Sequence, residues 1–460
     1  MSRLPAPLVA VVLAALCAAP PGAAAQSARA RPSPIALKAK RLYDGRSGRL
    51  VADAVVVVQD GKITAVGSKL AIPSGARVID LGDATILPGF IDAHTHLSSE
   101  RSEDWNQDMV DDFRRGVPEE AIRAATFARR TLDAGFTTVR NVGAGEFVDV
   151  GLRDAIAHGW AKGPRIIGAA HSLGARGGHC DETGFPYQRF GPETGIKDGI
   201  ASGAERFREA VRFQIKYGAD VIKVCATGGV LSLHDSVDAP QLSKAEMVAL
   251  VDEAHRLGRK VAAHAHGDRG AREAIQAGVD SIEHGSFLTA ATLGIMRRRG
   301  TYLVPTLMAY EGIDPTTQKL PPEIAVKARA AIRARATSMK LALRAGVKIA
   351  LGTDSGVTRH GQNAREFRLM VKHGMSPAAA LRAGTSGAAD LLGVADEVGT
   401  VARGKVADLV AVPGNPLDDI TVTERVFFVM RSGQVVRRVV PDRGNSQAQR
   451  SGAARRSGRK

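Results

Sequence analysis

At 460 residues with ordinary apolar content, the chain is long enough for one large domain with a real core, or a barrel with a smaller satellite. No internal apolar run is long enough to span a bilayer, and the net charge of +16 comes with no nucleic-acid-binding module. Composition therefore predicts no membrane-spanning helix and gives no support to a nucleic-acid partner.

Met1-Ser2-Arg3, the apolar run from Leu8 to Leu16 and the small-residue step Ala23-Ala24-Ala25 read as a secretory signal peptide over 1–25. The mature protein is expected to be secreted or periplasmic. Removing the leader leaves Cys180 and Cys225, which either pair in an oxidising compartment or stay as buried free thiols. Residues 26–85 alternate short β-like runs with turns; Val55–Gln59 and Lys62–Val66 flank Asp60-Gly61, a two-residue hairpin signal. The same texture returns over 396–441. Two β-rich ends around a different middle predict one small β-sandwich domain built from both termini.

The middle, 86–395, repeats strand, loop and helix. It opens on Pro88-Gly89-Phe90-Ile91-Asp92-Ala93-His94-Thr95-His96. On a strand Phe90, Asp92, His94 and His96 share one face, so two imidazoles at its end can grip one metal ion. Further strand-like runs are 136–140, 165–170, 220–225, 260–266, 279–284, 302–305 and 347–354. Helical patterns cover 118–134, 203–217, 243–257, 267–277 and 321–345, and several end at glycine. Eight strands with intervening helices and no nucleotide-binding glycine turn predict an α/β fold, a (β/α)8 TIM barrel, over a doubly wound sheet. The stretch 442–460, with arginines among Ser, Gly and Ala, reads as a disordered basic tail.

Barrel enzymes carry their reactive groups at the C-terminal ends of strands. Those ends here hold His94 and His96 (first), Lys223 (fourth), His264 (fifth), His284 (sixth) and Asp354 (eighth), and His179 follows the third in a Gly-flanked loop. Singly each has an ordinary explanation: a helix cap for the aspartate, a solvated lysine, a core histidine. Their convergence on one mouth points to metal chemistry, because Lys and Asp are seldom buried unpaired.

The set resembles the binuclear amidohydrolase superfamily, in its Xaa-Pro/Xaa-Arg dipeptidase branch, which is prolidase-like and includes ochratoxinase-like amidases. The matching stretches are 89–96, Gly177-Gly178-His179-Cys180-Asp181, Gly218–Lys223, Ile282-Glu283-His284-Gly285 and Gly352-Thr353-Asp354-Ser355, with His360-Gly361, Asn363 and Glu366. The resemblance implies two divalent metal ions, zinc first, with manganese or cobalt also suited to such donors. His94, His96 and Asp354 would hold one and His264 and His284 the other. Lys223, carboxylated by CO2 to N6-carboxylysine, would bridge both as a carbamate.

It implies metal-assisted hydrolysis of the amide bond of a dipeptide or N-acyl amino acid. Asp354 takes a proton from an activated water and passes it to the leaving nitrogen; His179 donates to the substrate carboxylate or the developing oxyanion. His266, facing the same way as His264, and His360, just beyond the eighth strand, are read as substrate contacts. Two alternatives stand beside this reading. One is an ochratoxin-type N-acyl-phenylalanine amidase. The other is an imidazolonepropionase-like cyclic amide hydrolase or deaminase, against which stand Lys223 and the lack of a glutamate shortly after His264. This branch commonly forms symmetric assemblies, so a homo-oligomer is expected.

Overall fold

The computed structural model describes residues 33–181, 183 and 193–439; the expected leader (1–25) and basic tail (442–460) lie outside the described residues. Asp60 and Gly61 take φ of 52° and 76°. Positive φ at both central positions matches the twist of the flanking strands, so Leu50–Gln59 and Lys62–Ser68 close as a hairpin with Gln59 opposite Lys62. This hairpin forms one edge of an eight-stranded sheet. Its hydrogen-bonded path runs Gln434–Arg438, Phe428–Arg431, Leu409–Pro413, Ala84–Pro88, Ile35–Tyr43, Leu50–Gln59 and Lys62–Ser68, with Arg77–Asp80 paired to Ile35–Tyr43. Early and late segments of the chain thus meet in the antiparallel ladder of Leu409–Pro413 on Ala84–Pro88. Leu37, Val56, Ile63, Ile86, Leu409 and Phe428 are buried together. A one-residue slip would turn such a set to solvent, which fixes the register.

Among the described residues, seven strands between those segments form two parallel sheets, beside a short parallel pair, Gly174–Ala175 and Ile200–Ala201. β1 (Phe90–Thr95), β2 (Phe136–Asn141) and β3 (Arg165–Gly168) form one sheet; β4 (Val221–Cys225), β5 (Lys260–Ala265), β6 (Ser281–His284) and β7 (Tyr302–Val304) form another. Parallel neighbours need a crossover, which helices such as Val117–Asp133, Lys244–Arg256, Asp268–Ala277 and Ala290–Arg299 supply. Gly278 and Gly300 end two of them at φ of 108° and 72°, a conformation that side chains with a β-carbon resist. Ile222, Val224, Val261, Ala263 and Ile282 pack with Leu250, Ala254, Ala274, Ile275 and Leu293 of these helices. Alternation along the strands then sends Lys223 and His264 to the opposite side.

The segment expected as an eighth strand, 347–354, forms only isolated bridges: Ile349 pairs with Leu303, and Ser355 just beyond it with Thr95. Ala93 donates to the Leu351 carbonyl and Asp354 to that of His94, each at 2.8 Å. The Ala383-Gly384 turn accepts the alternate bonds, from Leu351 and Ile91, so no continuous ladder develops. At the other seam Leu173 bridges Val224. Among the described residues no helix is long and apolar enough to cross a membrane.

Cys180 and Cys225 are joined by a disulfide with Cα atoms 5.9 Å apart, which ties the loop after β3 to the end of β4. Closing a loop of this size restrains the unfolded chain, so Cys225→Ser is expected to lower the unfolding free energy by about 4 kcal/mol. Urea denaturation reads the loss, and a reductant should reproduce it in the parent protein. Equal stability with and without the bond would show that the loop gains nothing from the tether.

Candidate active site

The strand ends open on a cavity of about 640 Å³, and His94, His96, His179, Lys223, His264, His266, His284 and Asp354 all line it. His360 does not join them. Its backbone N–H donates to Glu100 Oε2 at 2.7 Å, its Nε2 donates to the Ser99 carbonyl at 2.9 Å, and its ring stacks on Phe127. The loop after β1 occupies this side chain, which lines a separate cavity with Arg130 and Gln362. The structure therefore does not bring His360, expected as a substrate contact, to the cavity of the other site residues; it holds the loop after β1.

Two of the converging residues sit on strained backbone: His284 has φ of 71° and Asp354 of 58°. Left-handed geometry at a non-glycine residue costs roughly 1–3 kcal/mol and collects at functional sites. At His284 it breaks the strand alternation. His284 reaches the cavity although its neighbour Glu283 already points to the interior, where it meets His94 and Arg140.

The donor atoms of His94, His96 and Asp354 lie within 4.8 Å of one another. His94 Nδ1 donates to Glu283 Oε2 at 2.7 Å and His96 Nδ1 to the Gly143 carbonyl at 3.1 Å, which leaves both Nε2 lone pairs free. Those nitrogens sit 3.4 and 3.5 Å from Asp354 Oδ1. Burial alone would raise the Asp354 carboxyl, but the surrounding imidazoles, His94 first, more than offset this and hold it well below the usual carboxylate range. Burial pushes His96 down to about 3, so its ring is neutral and able to bind a cation.

His264, His266 and His284 form a second group, with donor atoms again within 4.8 Å. His266 was expected beside the metal donors as a substrate contact, and the structure places its ring among them. Burial lowers all three, His266 to about 3 and the other two well below their ordinary value. His284 Nδ1 is 2.7 Å from Thr306 Oγ1 and His266 Nδ1 is 2.6 Å from Ser286 Oγ, so each presents Nε2 to the cavity. His264 instead has Nε2 at 3.4 Å from the Gly228 carbonyl. Neutral imidazoles with a second nitrogen already bonded, together with one ionised carboxylate, are a donor set that fits divalent cations. Lys223, 4% exposed, is pushed down by burial to about 8, against the pull of Glu283 and Asp354.

Sequence reasoning missed the support beneath these rings. Arg140 and Glu283 are fully interior and paired at 2.8 Å; Arg140 also donates to the Ala93 carbonyl at 2.6 Å and to Ser281 Oγ at 3.0 Å. Burial would raise Glu283, but Arg140 and His94 bring it down to about 2. The available signal was a carboxylate inside an apolar strand, which requires a buried cation, and Arg140 stands at the matching end of β2. Asp92, raised by burial to about 6, accepts from Thr353, Asn363 and the His94 N–H and so locks β1 to the 353–355 turn. Glu366, raised by burial to about 8, accepts the Leu307 and Met308 N–H groups at 2.8 Å each. His179 has its Nδ1 2.9 Å from Ser232 Oγ, and its ring lies 4.2 Å, centroid to centroid, from His264.

A family model described as the amidohydrolase family matches residues 85–442. The ochratoxinase of Aspergillus niger is 32% identical over 410 residues, covering 84% of each chain. Its solved structure superposes with a TM-score of 0.79 at 30% identity, over 88% of this chain and 96% of that one. A Xaa-Pro dipeptidase solved with methionine in its active site is 37% identical, TM-score 0.85, over 88% of this chain and all 100% of the other. A prolidase in complex with N-methylphosphonate-L-proline is 31% identical, TM-score 0.79, with the same coverage.

The pH response of the ion pair has a definite sign. Glu283 sits at about 2 in the folded protein against an ordinary 4.5, so the stability it contributes is complete above pH 4.5 and is lost as pH falls toward 2. Glu283→Gln is expected to flatten acid unfolding over that window. At pH 7 it should cost about 3–5 kcal/mol, because Arg140 is left buried without its partner. Denaturant unfolding at both pH values checks this; equal stability at pH 7 would refute the role given to the pair.

Proposed function

The chain belongs to the amidohydrolase family, whose members here act on amide C–N bonds, and from that premise we propose an exported, binuclear metal-dependent hydrolase of dipeptides or N-acyl amino acids. Xaa-Pro and Xaa-Arg dipeptides are the first substrates of this reading. The observation that carries it is the meeting of two three-donor groups with Lys223 on one cavity. A (β/α)8 barrel is part of the same reading, supported by seven parallel strands and the bridges at both seams. Export is supported by the Cys180–Cys225 bond, since disulfides persist in oxidising compartments.

His94, His96 and Asp354 would hold one ion, and His264 and His284 the other, with His266 alongside. Bound there, two divalent ions, zinc by the imidazole-rich donors, would supply Lewis acidity to the amide carbonyl and lower the pKa of a water. Lys223, partly neutral near pH 8, attacks CO2 through its lone pair, forms an N–C bond and releases a proton. As a carbamate Lys223 would replace a cation in the cavity by one negative charge shared over two oxygens, a donor suited to the ions those groups would hold. Asp354, held ionised, accepts the proton of the attacking water and returns it to the nitrogen as the C–N bond breaks.

A second reading, hydrolysis of an N-acyl aromatic amino acid, is favoured by one observation. The cavity wall includes Trp105, Met109, Phe113 and Leu231, an apolar surface suited to an aromatic ring. It agrees with the ochratoxinase relationship, as the first reading agrees with the dipeptidase and prolidase structures.

Mature protein purified with zinc and bicarbonate is expected to carry about two metal ions per chain. It should hydrolyse substrates from a panel of Xaa-Pro, Xaa-Arg and Xaa-Phe dipeptides and N-acyl-phenylalanine amides, and the preferred one separates the two readings. Lys223→Ala and Asp354→Asn should each lose about a thousandfold in kcat/KM. Undiminished activity in Lys223→Ala with one metal retained would sink the bridging role.

A further inference from the structure

His179 is held from behind by residues that no metal donor shares. Its backbone N–H donates to Gln241 Oε1 and its Nδ1 meets Ser232 Oγ, both at 2.9 Å. A β-carbon on Gly229 would overlap the ring, so the ring lies directly against that loop. Ser232 Oγ donates in turn to Asp235 Oδ2 at 2.7 Å, an oxygen also reached by the Gly229 N–H and Gln241 Nε2 at 3.1 and 3.2 Å. Lys327 Nζ donates to Asp235 Oδ1 at 2.8 Å; the two side chains are only 9% and 7% exposed.

We propose that Asp235 and Lys327, acting through Ser232, are positioning residues that keep the hydrogen of His179 on Nδ1 and leave Nε2 as a bare acceptor at the cavity. The inference rests on the amide-hydrolase reading for what that acceptor meets. A hydroxyl has one hydrogen to give. The Asp235 carboxylate at 2.7 Å is a stronger acceptor than the Gly229 carbonyl at 3.4 Å or a neutral imidazole nitrogen, so the Ser232 hydrogen goes to Asp235. The Ser232 lone pair then faces Nδ1, which must carry the ring hydrogen. A neutral His179 in this state cannot donate to a carboxylate or an oxyanion, the role expected from sequence. It accepts instead, and the substrate group that matches it is an N–H beside the scissile carbonyl, either an amino group or a secondary amide.

Histidine-15N NMR on the zinc-loaded mature protein, with His179 signals assigned through His179→Gln, reads the tautomer directly. The parent and Ser232→Thr, which keeps the hydroxyl, are expected to show a protonated Nδ1 and a bare Nε2. In Ser232→Ala and Lys327→Met both nitrogens should move toward values averaged over the two tautomers. On the best panel substrate, kcat of Ser232→Ala should fall about tenfold with KM within about twofold, the order of one charge-assisted hydrogen bond, and Ser232→Thr should restore it. A hydrogen on Nε2 in the parent, or unchanged nitrogen signals in Ser232→Ala, would overturn the relay. If Lys327→Met fails to fold, Ser232→Ala carries the test. The nitrogen signals need no turnover, so a parent that hydrolyses nothing on the panel counts against the proposed activity alone.

Discussion

The floor of the cavity depends on one buried ion pair. Arg140 and Glu283 are 2% and 0% exposed, and taking two charges out of water costs several kcal/mol per ion unless every donor and acceptor is met. Here the guanidinium spends its N–H groups on Glu283, Ser281 and the Ala93 carbonyl, and Glu283 gives its second oxygen to His94. Those partners lie on β1, β2 and β6. The pair therefore crosses from one parallel sheet to the other and sets the ring of His94 in the same act.

From that floor upward the site is built by neutralising what it buries. His96, His264, His266 and His284 are all held below their ordinary value by burial, so the cavity keeps basic nitrogens without a cluster of positive charge. Each ring is oriented by a partner on its far nitrogen, and the partners differ: a carbonyl for His96, hydroxyls for His266 and His284. The strained turns at His284 and Asp354 complete the convergence, and Thr306, the partner of His284, is itself at φ of 45°. Strain here is spent on aiming donors at one point.

His94, His96, Lys223 and His264 were legible in the sequence because period-2 alternation is a local property that aims them at one mouth, whereas His284 and Asp354 reach it through left-handed backbone that alternation does not foretell. The hairpin at Asp60-Gly61 was legible for the same reason, since its turn chemistry is written in two residues. Pairings across the fold were not. Glu283, a carboxylate in the apolar Ile-Glu-His-Gly stretch, calls for a buried cation, but nothing local says that the cation is Arg140 on another strand. Lys327, on the helix Pro322–Ala345 among many basic residues, gives no sign that it reaches Asp235. The 347–354 run has the composition of a strand, yet the Ala383-Gly384 turn takes bonds that a ladder would need. His360 misled because it follows Asp354 closely in sequence, while its ring belongs to Ser99.

The sheet shared by both ends of the described chain bears on how the molecule comes to be folded. Ala84–Pro88 finds its antiparallel neighbour, Leu409–Pro413, more than three hundred residues later. During synthesis the first strands are made long before that partner exists, and they wait with an unpaired edge of backbone N–H and C=O groups. Contacts of such separation are slow to form because the whole intervening loop must be closed first. Most of the parallel strands between them pair with nearer neighbours, whereas the ladder on Ala84–Pro88 closes only after residue 413 has been made. Until it does, the nascent chain presents a β edge that other chains can pair with, and shielding that edge is the task this topology sets for the cell.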